Sequence, residues 1–191
     1  MKLTLIRHSI TEGNLRKLYY GSADIPLAPE GEALLRTLRE THNYPTADRM
    51  YTSGMHRTEQ TFALIYGALP HGHVPALREM DFGYFEMKSY EELKDDPLYQ
   101  KWLEGDHLQN YCPDGESAMS FFARVRSGIQ PLIDADTDTV CVTHGGVIAS
   151  LMLHWFPEKN YYEWMPEPAY GYQIMFENGH PCTYRAIPIA R

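Results

Sequence analysis

The chain has 191 residues, enough for one domain with a sizeable core, and its apolar fraction of 43% and charged fraction of 22% are ordinary for a globular protein. Its formal net charge of −8 disfavours nucleic acid and anionic membranes as partners, because an acidic surface repels polyphosphate. The three cysteines, Cys112, Cys141 and Cys182, are odd in number and far apart, so we expect reduced thiols, with Cys141 in the core. The early Arg7-His8 pair and the lack of a long apolar stretch argue against a signal peptide and a membrane span, which makes the cytoplasm the expected location.

Short apolar runs alternate with amphipathic segments along the chain. We predict strands at residues 3–6, 50–52, 74–77, 139–143, 172–176 and 183–187. We predict helices that begin at Pro29 and that cover residues 56–66, 116–133 and 145–156, with a helical turn at 14–18. This order predicts an α/β fold, a three-layer sandwich with a mostly parallel sheet and helices on both faces. We expect residues 1–191 to form a single domain, with 84–113 as a small lobe near the functional site.

Two of the predicted strands end at a histidine. The first strand leads into Arg7-His8, and the strand at 139–143 leads into His144. Ligands of such sheets bind beyond the carboxyl ends of the strands, so both imidazoles are expected at the ligand-binding edge.

The chemistry of phosphate-ester cleavage explains the residue types at this edge. A neutral imidazole is a good nucleophile, and a covalent intermediate splits one difficult displacement into two easier ones. A transferring phosphoryl group spreads negative charge over its oxygens, which guanidinium groups and a protonated imidazole can hold. We therefore expect His8 to be the nucleophile and Arg7, Arg57 and His144 to form the phosphate clamp.

The departing oxygen of a phosphate ester needs a proton. Glu79 is the candidate donor, because a carboxyl group in a partly dry site stays protonated and afterwards serves as a base toward water. The Gly145-Gly146 pair lets the backbone approach an anion at a helix N-terminus, and Asn14 adds a neutral donor.

Four motifs, in order and at the expected spacing, resemble those of the histidine phosphatase superfamily, also called the phosphoglycerate-mutase-like fold. They are Arg7-His8-Ser9-Ile10-Thr11 with Asn14, Ser53 through Arg57 to Gln60-Thr61, Glu79 with Phe82-Gly83 and Glu86, and Thr143 to Val147. The loop that begins at Gly21 is also similar. The resemblance implies that His8, Glu79, Arg7, Arg57 and His144 are catalytic, and that Arg7, Asn14, Gly21, Arg57, His144 and Gly145 bind the substrate.

Three positions depart from the family pattern. Ser9 and Met87 replace usual glycines, and Phe85 replaces a usual tryptophan. We expect the Ser9 hydroxyl either to crowd the phosphate or to donate to it, and Phe85 and Met87 to alter the wall of the pocket.

The resemblance favours the phosphatase branch over phosphoglycerate mutases. Residues 88–113 carry few basic groups for a second phosphate, but several aromatic ones. These aromatic residues either stack on a flat leaving group or pack the segment onto the sheet. Further similarity, at residues 18–21, 79–87 and 114–117, is to α-ribazole phosphatases of cobalamin biosynthesis, whose leaving group is flat.

Two other classes of protein remain open. A metal-dependent phosphohydrolase would use His8, His144 and Glu79 as ligands, although Arg7 and Arg57 would repel a cation. His71-Gly72-His73 also reads as a chelate, although we expect both imidazoles to be solvated. The other class is an inactive module that binds phosphorylated ligands.

The favoured interpretation is a phosphomonoesterase that needs no cofactor and no metal ion. Its expected partner is a small phosphate monoester, and its oligomeric state stays open, with a homodimer as one option. We expect the remaining histidines to be surface or packing residues; they are His42, His56, His107, His154 and His180.

Overall fold

A six-stranded sheet lies at the centre of the computed structural model, which describes residues 1–105 and 108–191. In these residues the strands are β1 (Lys2–Arg7), β2 (Leu18–Tyr19), β3 (His42–Asn43), β4 (Arg49–Thr52), β5 (Gly72–His73), β6 (Lys88–Ser89), β7 (Thr139–Thr143), β8 (Gly171–Glu177), β9 (His180–Ile187) and β10 (Ile189–Ala190). The α-helices are α1 (Glu12–Leu15), α2 (Pro29–Thr41), α3 (His56–Tyr66), α4 (Tyr90–Leu93), α5 (Pro97–Leu103), α6 (Ala118–Asp134) and α7 (Gly145–Trp155).

The central sheet has the strand order β5-β4-β7-β1-β8-β9. Strands β5, β4, β7 and β1 pair in parallel, whereas β8 runs antiparallel to both of its neighbours. Strand β9 therefore points in the same direction as β1, and β8 alone is reversed among the six. Short antiparallel pairs β2–β6 and β3–β10 lie outside this sheet.

Helices cover the sheet on both faces because β1 and β7 are apolar on both faces. Leu3 and Leu5 of β1 belong to one hydrophobic cluster, together with residues of α6 and α7. Ile6, on the opposite face of β1, belongs to a second cluster with residues of α2 and α3. The predicted three-layer α/β sandwich is confirmed.

Most of the predicted elements are present. The helix predicted at residues 56–66 has those bounds, and it is followed by Gly67, whose positive φ of 74° suits glycine. Pro29 is the first residue of α2, as expected. The predicted helix at 116–133 begins two residues later, because the Ser117 side chain caps it. Cys141 is fully buried, and the three cysteines are free thiols.

Two predicted elements are wrong. Residues 74–77 do not form a strand, because Pro75 lacks an N–H group for the ladder; Pro75–Leu77 is a 3₁₀ turn, and the strand is β5. The helical turn predicted at 14–18 begins earlier, at Glu12, because Thr11 and Asn14 form a reciprocal cap. Leu18 instead belongs to β2, which pairs with β6.

Residues 84–113, predicted to form a lobe, contain β6, α4 and α5, and within them Asp106 and His107 lie outside the described residues. Phe85, Tyr99 and Trp102 pack on one another, Tyr99 and Trp102 also pack on Tyr19 of β2, and the Tyr19 and Tyr99 hydroxyls are 2.6 Å apart. This aromatic cluster joins the segment to the strand beside the functional site. Among the described residues, no helix combines the length and apolar character needed to cross a bilayer.

Candidate active site

The two strand-end histidines lie side by side, as predicted. His8 follows β1 and His144 follows β7, and these strands pair up to Arg7 and Thr143. The backbone N–H of His8 continues the ladder by donating to the Thr143 carbonyl at 2.8 Å. The ring centroids of His8 and His144 are 5.2 Å apart, with an edge-to-face arrangement.

The protonation of His8 follows from the hydrogen bond between its side chain and the backbone of the next residue. Nδ1 lies 2.7 Å from the backbone oxygen of Ser9, which only accepts, so Nδ1 carries the hydrogen and Nε2 keeps its lone pair. Burial, together with the positive charges of Arg57 and Arg7, lowers the pKa of His8 well below its usual value. The imidazole is therefore neutral at pH 7 and nucleophilic at Nε2.

Ser9 turns its side chain away from His8. Its hydroxyl donates to the Gly31 carbonyl of α2 at 2.8 Å, and its backbone N–H donates to Thr61 Oγ1 at 3.0 Å. The residue is fully buried in these contacts. Neither predicted effect of the hydroxyl, crowding the phosphate or donating to it, fits this orientation.

His144 belongs to a buried hydrogen-bond chain. Arg57 Nε donates to its Nδ1 at 3.3 Å, so a neutral His144 carries its hydrogen on Nε2, which lies 2.8 Å from Ser53 Oγ. Ser53 then donates to the Thr58 hydroxyl, and Thr58 donates to the carbonyl of Met55.

The charge of His144 differs from the prediction. Burial and the charge of Arg57 lower the pKa of His144 well below its usual value, so the imidazole is neutral here rather than protonated. A bound phosphate dianion would supply the negative charge that favours the imidazolium.

Arg57 is fully buried and holds the loop that begins at Gly21. Its NH2 and NH1 groups donate to the carbonyls of Gly21 and Ala23, at 2.7 and 2.9 Å. The Gly21 N–H in turn donates to the Glu86 carboxylate, which also accepts from the N–H groups of Ser22 and Ala23. The backbone polar groups of Gly21 are therefore already used, and Gly21 does not line the cavity.

Arg7 has a buried donor without a protein acceptor. Its NH1 donates to the Pro166 carbonyl at 2.7 Å, but its buried Nε has no hydrogen-bond partner among the described residues. Gly145 packs directly on this guanidinium group, since a Cβ there would lie 3.1 Å from Nε. A buried N–H without a partner costs roughly 1–3 kcal/mol, which an anion in the cavity would recover.

Glu79 lines the same cavity as Arg7. Its carboxylate accepts from the backbone N–H groups of Gly146 at 2.9 Å and of Met80 at 3.0 Å. Burial raises the pKa of Glu79 above its usual value, and it outweighs the opposing effects of these donors and of Arg57. The Gly146 N–H, expected to be open to an anion, is thus bound to Glu79.

The arginine that supports Glu79 carries no motif in the sequence. Arg124 of α6 pairs with Glu116 at 2.6 Å and donates to the carbonyls of Ala76, Arg78 and Glu79. This one side chain therefore fixes the backbone that positions the acid.

These groups surround a cavity of about 190 Å³. Arg7, His8, Asn14, Glu79 and Gly145 line it, as predicted, while Arg57 and His144 lie in the buried layer around His8. The amide oxygen of Asn14 accepts from the backbone and hydroxyl of Thr11, which turns its NH₂ group away from Thr11.

Four aromatic residues complete the cavity wall: Tyr19, Tyr20, Phe82 and Tyr161. Tyr161 has no signal in the sequence, yet a Cβ on Gly146 would overlap both its hydroxyl and Glu79 Oε1. Burial, with the nearby charge of Glu79, raises the pKa of Tyr161 well above its usual value, so the phenol stays a donor.

Several predicted wall residues lie elsewhere. Phe85 is fully buried in the aromatic cluster, and neither it nor Met87 lines the cavity. Met87 has a φ of 61°, a left-handed conformation that glycine adopts without strain. The aromatic residues of 88–113 also stay out of the cavity: Tyr99 is buried, and Tyr90 and Tyr111 are exposed.

The potential metal-ligand atoms of His8, His144 and Glu79 do not converge as those of a metal site would. Within the described ranges only the ligand atoms of Glu59, His71 and His73 do so. His71 is not simply solvated, because its ring packs on Phe62 at 4.0 Å and its Nε2 lies 2.9 Å from Glu59 Oε2.

The site combines a neutral imidazole with buried guanidinium groups at the carboxyl edge of parallel strands that helices cover on both faces. These are the features of an enzyme that acts on phosphate esters. The sequence pattern of the histidine phosphatase superfamily, branch 1, matches residues 3–182. The chain belongs to this superfamily and is a phosphoester hydrolase.

Curated relatives and solved structures agree with this assignment. The adenosylcobalamin/α-ribazole phosphatase of Salmonella typhimurium is 34% identical over 160 residues, which cover 80% of this chain and 78% of the relative. The corresponding protein of Escherichia coli K12 is 31% identical over 159 residues, with 80% and 77% covered. The α-ribazole phosphatase structure from Shigella flexneri has the same fold, with a TM-score of 0.85 at 24% identity over 100% of this chain and 96% of that one. A phosphoglycerate mutase structure from Thermus thermophilus has a TM-score of 0.74 at 28% identity, with 98% and 99% covered.

Proposed function

We propose that this protein hydrolyses a small phosphate monoester through a phosphohistidine on His8. The observation that carries the proposal is the orientation of His8: its Nδ1–H is tied to Ser9, and its Nε2 keeps a lone pair in the cavity that Arg7 also lines, where Arg7 Nε has no hydrogen-bond partner among the described residues. A nucleophile with a buried cationic donor next to it suits an anionic electrophile.

The residue roles follow from these contacts. Nε2 of His8 attacks phosphorus, and the ester P–O bond breaks. Glu79 gives its proton to the departing oxygen, then takes a proton from the water that attacks the phosphohistidine, which releases phosphate and free His8. Arg7, Asn14 and the Gly145 backbone hold the phosphoryl oxygens, while Arg57 and His144 stabilise their charge from the buried layer around His8. Gly21, whose carbonyl accepts from Arg57, contributes by positioning that arginine.

For the natural substrate we propose α-ribazole 5′-phosphate, an intermediate of cobalamin biosynthesis. Two observations support this substrate. Relatives at 31% and 34% identity carry the name adenosylcobalamin/α-ribazole phosphatase, and Tyr19, Phe82 and Tyr161 form an aromatic wall in the cavity. Flat rings prefer edge-to-face or offset contacts with aromatic side chains, and Tyr19 and Phe82 already make such a pair at 5.5 Å. Of the residues that the structure describes, Arg7 is the one arginine or lysine in the lining of the cavity, which gives a second phosphate little to bind.

The covalent step is tested by trapping the intermediate. A radiolabelled monoester mixed rapidly with the protein and quenched in alkaline detergent should leave label on the wild-type chain. His8→Ala should take up no label and lose turnover, whereas His154→Ala, an exposed histidine of α7, should behave as the wild type. Brisk turnover in folded His8→Ala, or turnover in the wild type with no trapped label, would overturn the mechanism.

The substrate is tested by comparing kcat/KM for α-ribazole 5′-phosphate, phosphoglycerates and a short alkyl phosphate. Phe82→Ala should lower kcat/KM for the α-ribazole ester by about tenfold, because a stacking contact is lost, and leave the alkyl phosphate nearly unchanged. Equal losses on both esters, or a preference for phosphoglycerates, would refute this substrate.

Residues 1–191 as a single domain, with 84–113 as its lobe, remain part of the proposal, as does a cytoplasmic location, and the oligomeric state stays open with a homodimer as one option. Light scattering of the purified full chain tests the last of these directly.

A further inference from the structure

A second group of convergent side chains lies at the edge of the central sheet, outside the catalytic cavity. Strand β5 is an outer strand, paired in parallel with β4 so that His73 lies opposite Thr52. His71 and His73 are two residues apart, so their side chains leave the same face of the chain. Glu59 of α3 lies between them, with one carboxylate oxygen near each imidazole.

The distances among the three side chains suit a small cation. Nε2 of His71 is 2.9 Å from Glu59 Oε2, and Nε2 of His73 is 3.4 Å from Glu59 Oε1. The three ligand atoms all lie within 4.8 Å of one another. In a tetrahedral zinc site, bonds of about 2.0–2.1 Å place neighbouring ligand atoms roughly 3.3–3.5 Å apart. The His73 side chain is 56% exposed, so a small rotation of this ring can close the remaining gap.

The surroundings orient two of the three ligands. Nδ1 of His71 lies 3.1 Å from the Leu69 carbonyl, so it carries the hydrogen, and Nε2 is the atom that points at the centre of the cluster. The His71 ring is also fixed against Phe62, at 4.0 Å between centroids. Glu59 Oε1 accepts a hydrogen bond from the Thr52 hydroxyl. Outer hydrogen bonds from a ligand histidine to a carbonyl and to a ligand carboxylate are the usual support of a metal site.

We propose that Glu59, His71 and His73 bind one divalent transition-metal ion of the zinc class, which fastens the edge strand β5 to α3. Two imidazoles and one carboxylate favour zinc, copper or nickel over magnesium or calcium, which prefer oxygen ligands. Water completes the coordination on the exposed side of His73. The site is structural, since its three ligands line no part of the catalytic cavity.

The test uses the full chain, freed of metal by a chelator and titrated with zinc chloride in a calorimeter. We expect one zinc ion per chain and a higher melting temperature with zinc. Glu59→Gln, which keeps the shape of the side chain, and His73→Ala, which removes a half-exposed ring, should each weaken binding by at least about tenfold. His180→Ala, an exposed histidine of β9, is the matched control and should bind as the wild type.

Three further titrations distinguish this site from the catalytic imidazoles and from a general attraction of cations to an acidic surface. His8→Ala should bind zinc normally, because the catalytic imidazoles are not ligands. Magnesium chloride should give no binding, and cobalt should give a visible spectrum that His73→Ala lacks. Absence of zinc binding in the wild type, unchanged binding in Glu59→Gln and His73→Ala, or loss of binding in His8→Ala would overturn the proposal.

Discussion

The serine that replaces the family glycine beside the nucleophile gives a sharp test of the structure. The Ser9 hydroxyl is buried and donates to the Gly31 carbonyl of α2 at 2.8 Å. Ser9→Ala removes this bond and leaves the backbone unchanged, which should lower the free energy of unfolding by about 1 kcal/mol. Ser9→Gly should cost roughly 0.5–1 kcal/mol more, because glycine loses more backbone entropy on folding.

Catalysis should respond differently from stability. The contact that orients His8 comes from the backbone oxygen of Ser9, which both variants keep, so kcat and KM should stay within about twofold of the wild type. Urea unfolding gives the stability change, and turnover of an aryl phosphate gives the kinetic one. Ser22→Gly, at an exposed position of the Gly21 loop, controls for the entropy of glycine.

The opposite pattern would refute this reasoning. A tenfold change in KM or kcat in Ser9→Ala, with stability unchanged, would mean that the hydroxyl reaches the phosphate. The hydrogen bond to Gly31 would then be absent in the working enzyme.

Three further predictions concern the site itself. Glu79→Gln should slow the hydrolysis of alkyl phosphates more than that of aryl phosphates, since only a poor leaving group needs the proton. Because the pKa of Glu79 is raised, kcat/KM for alkyl phosphates should fall as the pH rises through that pKa. This fall at alkaline pH should vanish in the variant. Equal losses on both esters would contradict the acid role. Ser53→Ala leaves the buried Nε2–H of His144 without its acceptor, which should cost roughly 1–3 kcal/mol of stability and lower kcat/KM by about tenfold. Urea unfolding and kinetics measure the two effects, and wild-type values in both would show that another group holds the imidazole. Activity should persist after prolonged treatment with a chelator, and a loss that zinc restores in folded His73→Ala, which lacks the proposed structural site, would favour the metal-dependent mechanism instead.

The sequence predicted those helices and strands that depend on residues close together in the chain. Strands β1 and β7 are largely apolar runs that helices cover on both faces, and α3 ends where Gly67 takes a positive φ. The strand predicted at 74–77 failed because an apolar run outweighed Pro75, which closes a turn there. Strands β2 and β6 have two residues each and exist through pairing of Leu18 with the distant Ser89, a relation that no local pattern contains.

The same division applies to the functional site. His8, Arg7, Glu79 and His144 follow strands or stand in motifs, so their convergence was predictable from the order of elements. The residues that tune them were not: Arg124 acts on Glu79 from the middle of α6, and Tyr161 reaches the cavity from the loop after α7. Their roles depend on where two distant segments meet, and neither residue stands in a recognisable motif.

The hydrogen bonds of Arg57 show why a buried charge is tolerated beneath this cavity. Its guanidinium group donates to two carbonyls of the Gly21 loop and to neutral His144, so its charge has acceptors but, in the part of the chain that the structure describes, no carboxylate in direct contact. A carboxylate partner would neutralise the field that lowers the pKa of His8 and keeps Nε2 unprotonated. Glu86, one of the acids near this arginine, instead binds the N–H groups of the same loop. The loop therefore separates the arginine from its counter-charge, and the positive potential is left for the phosphoryl group.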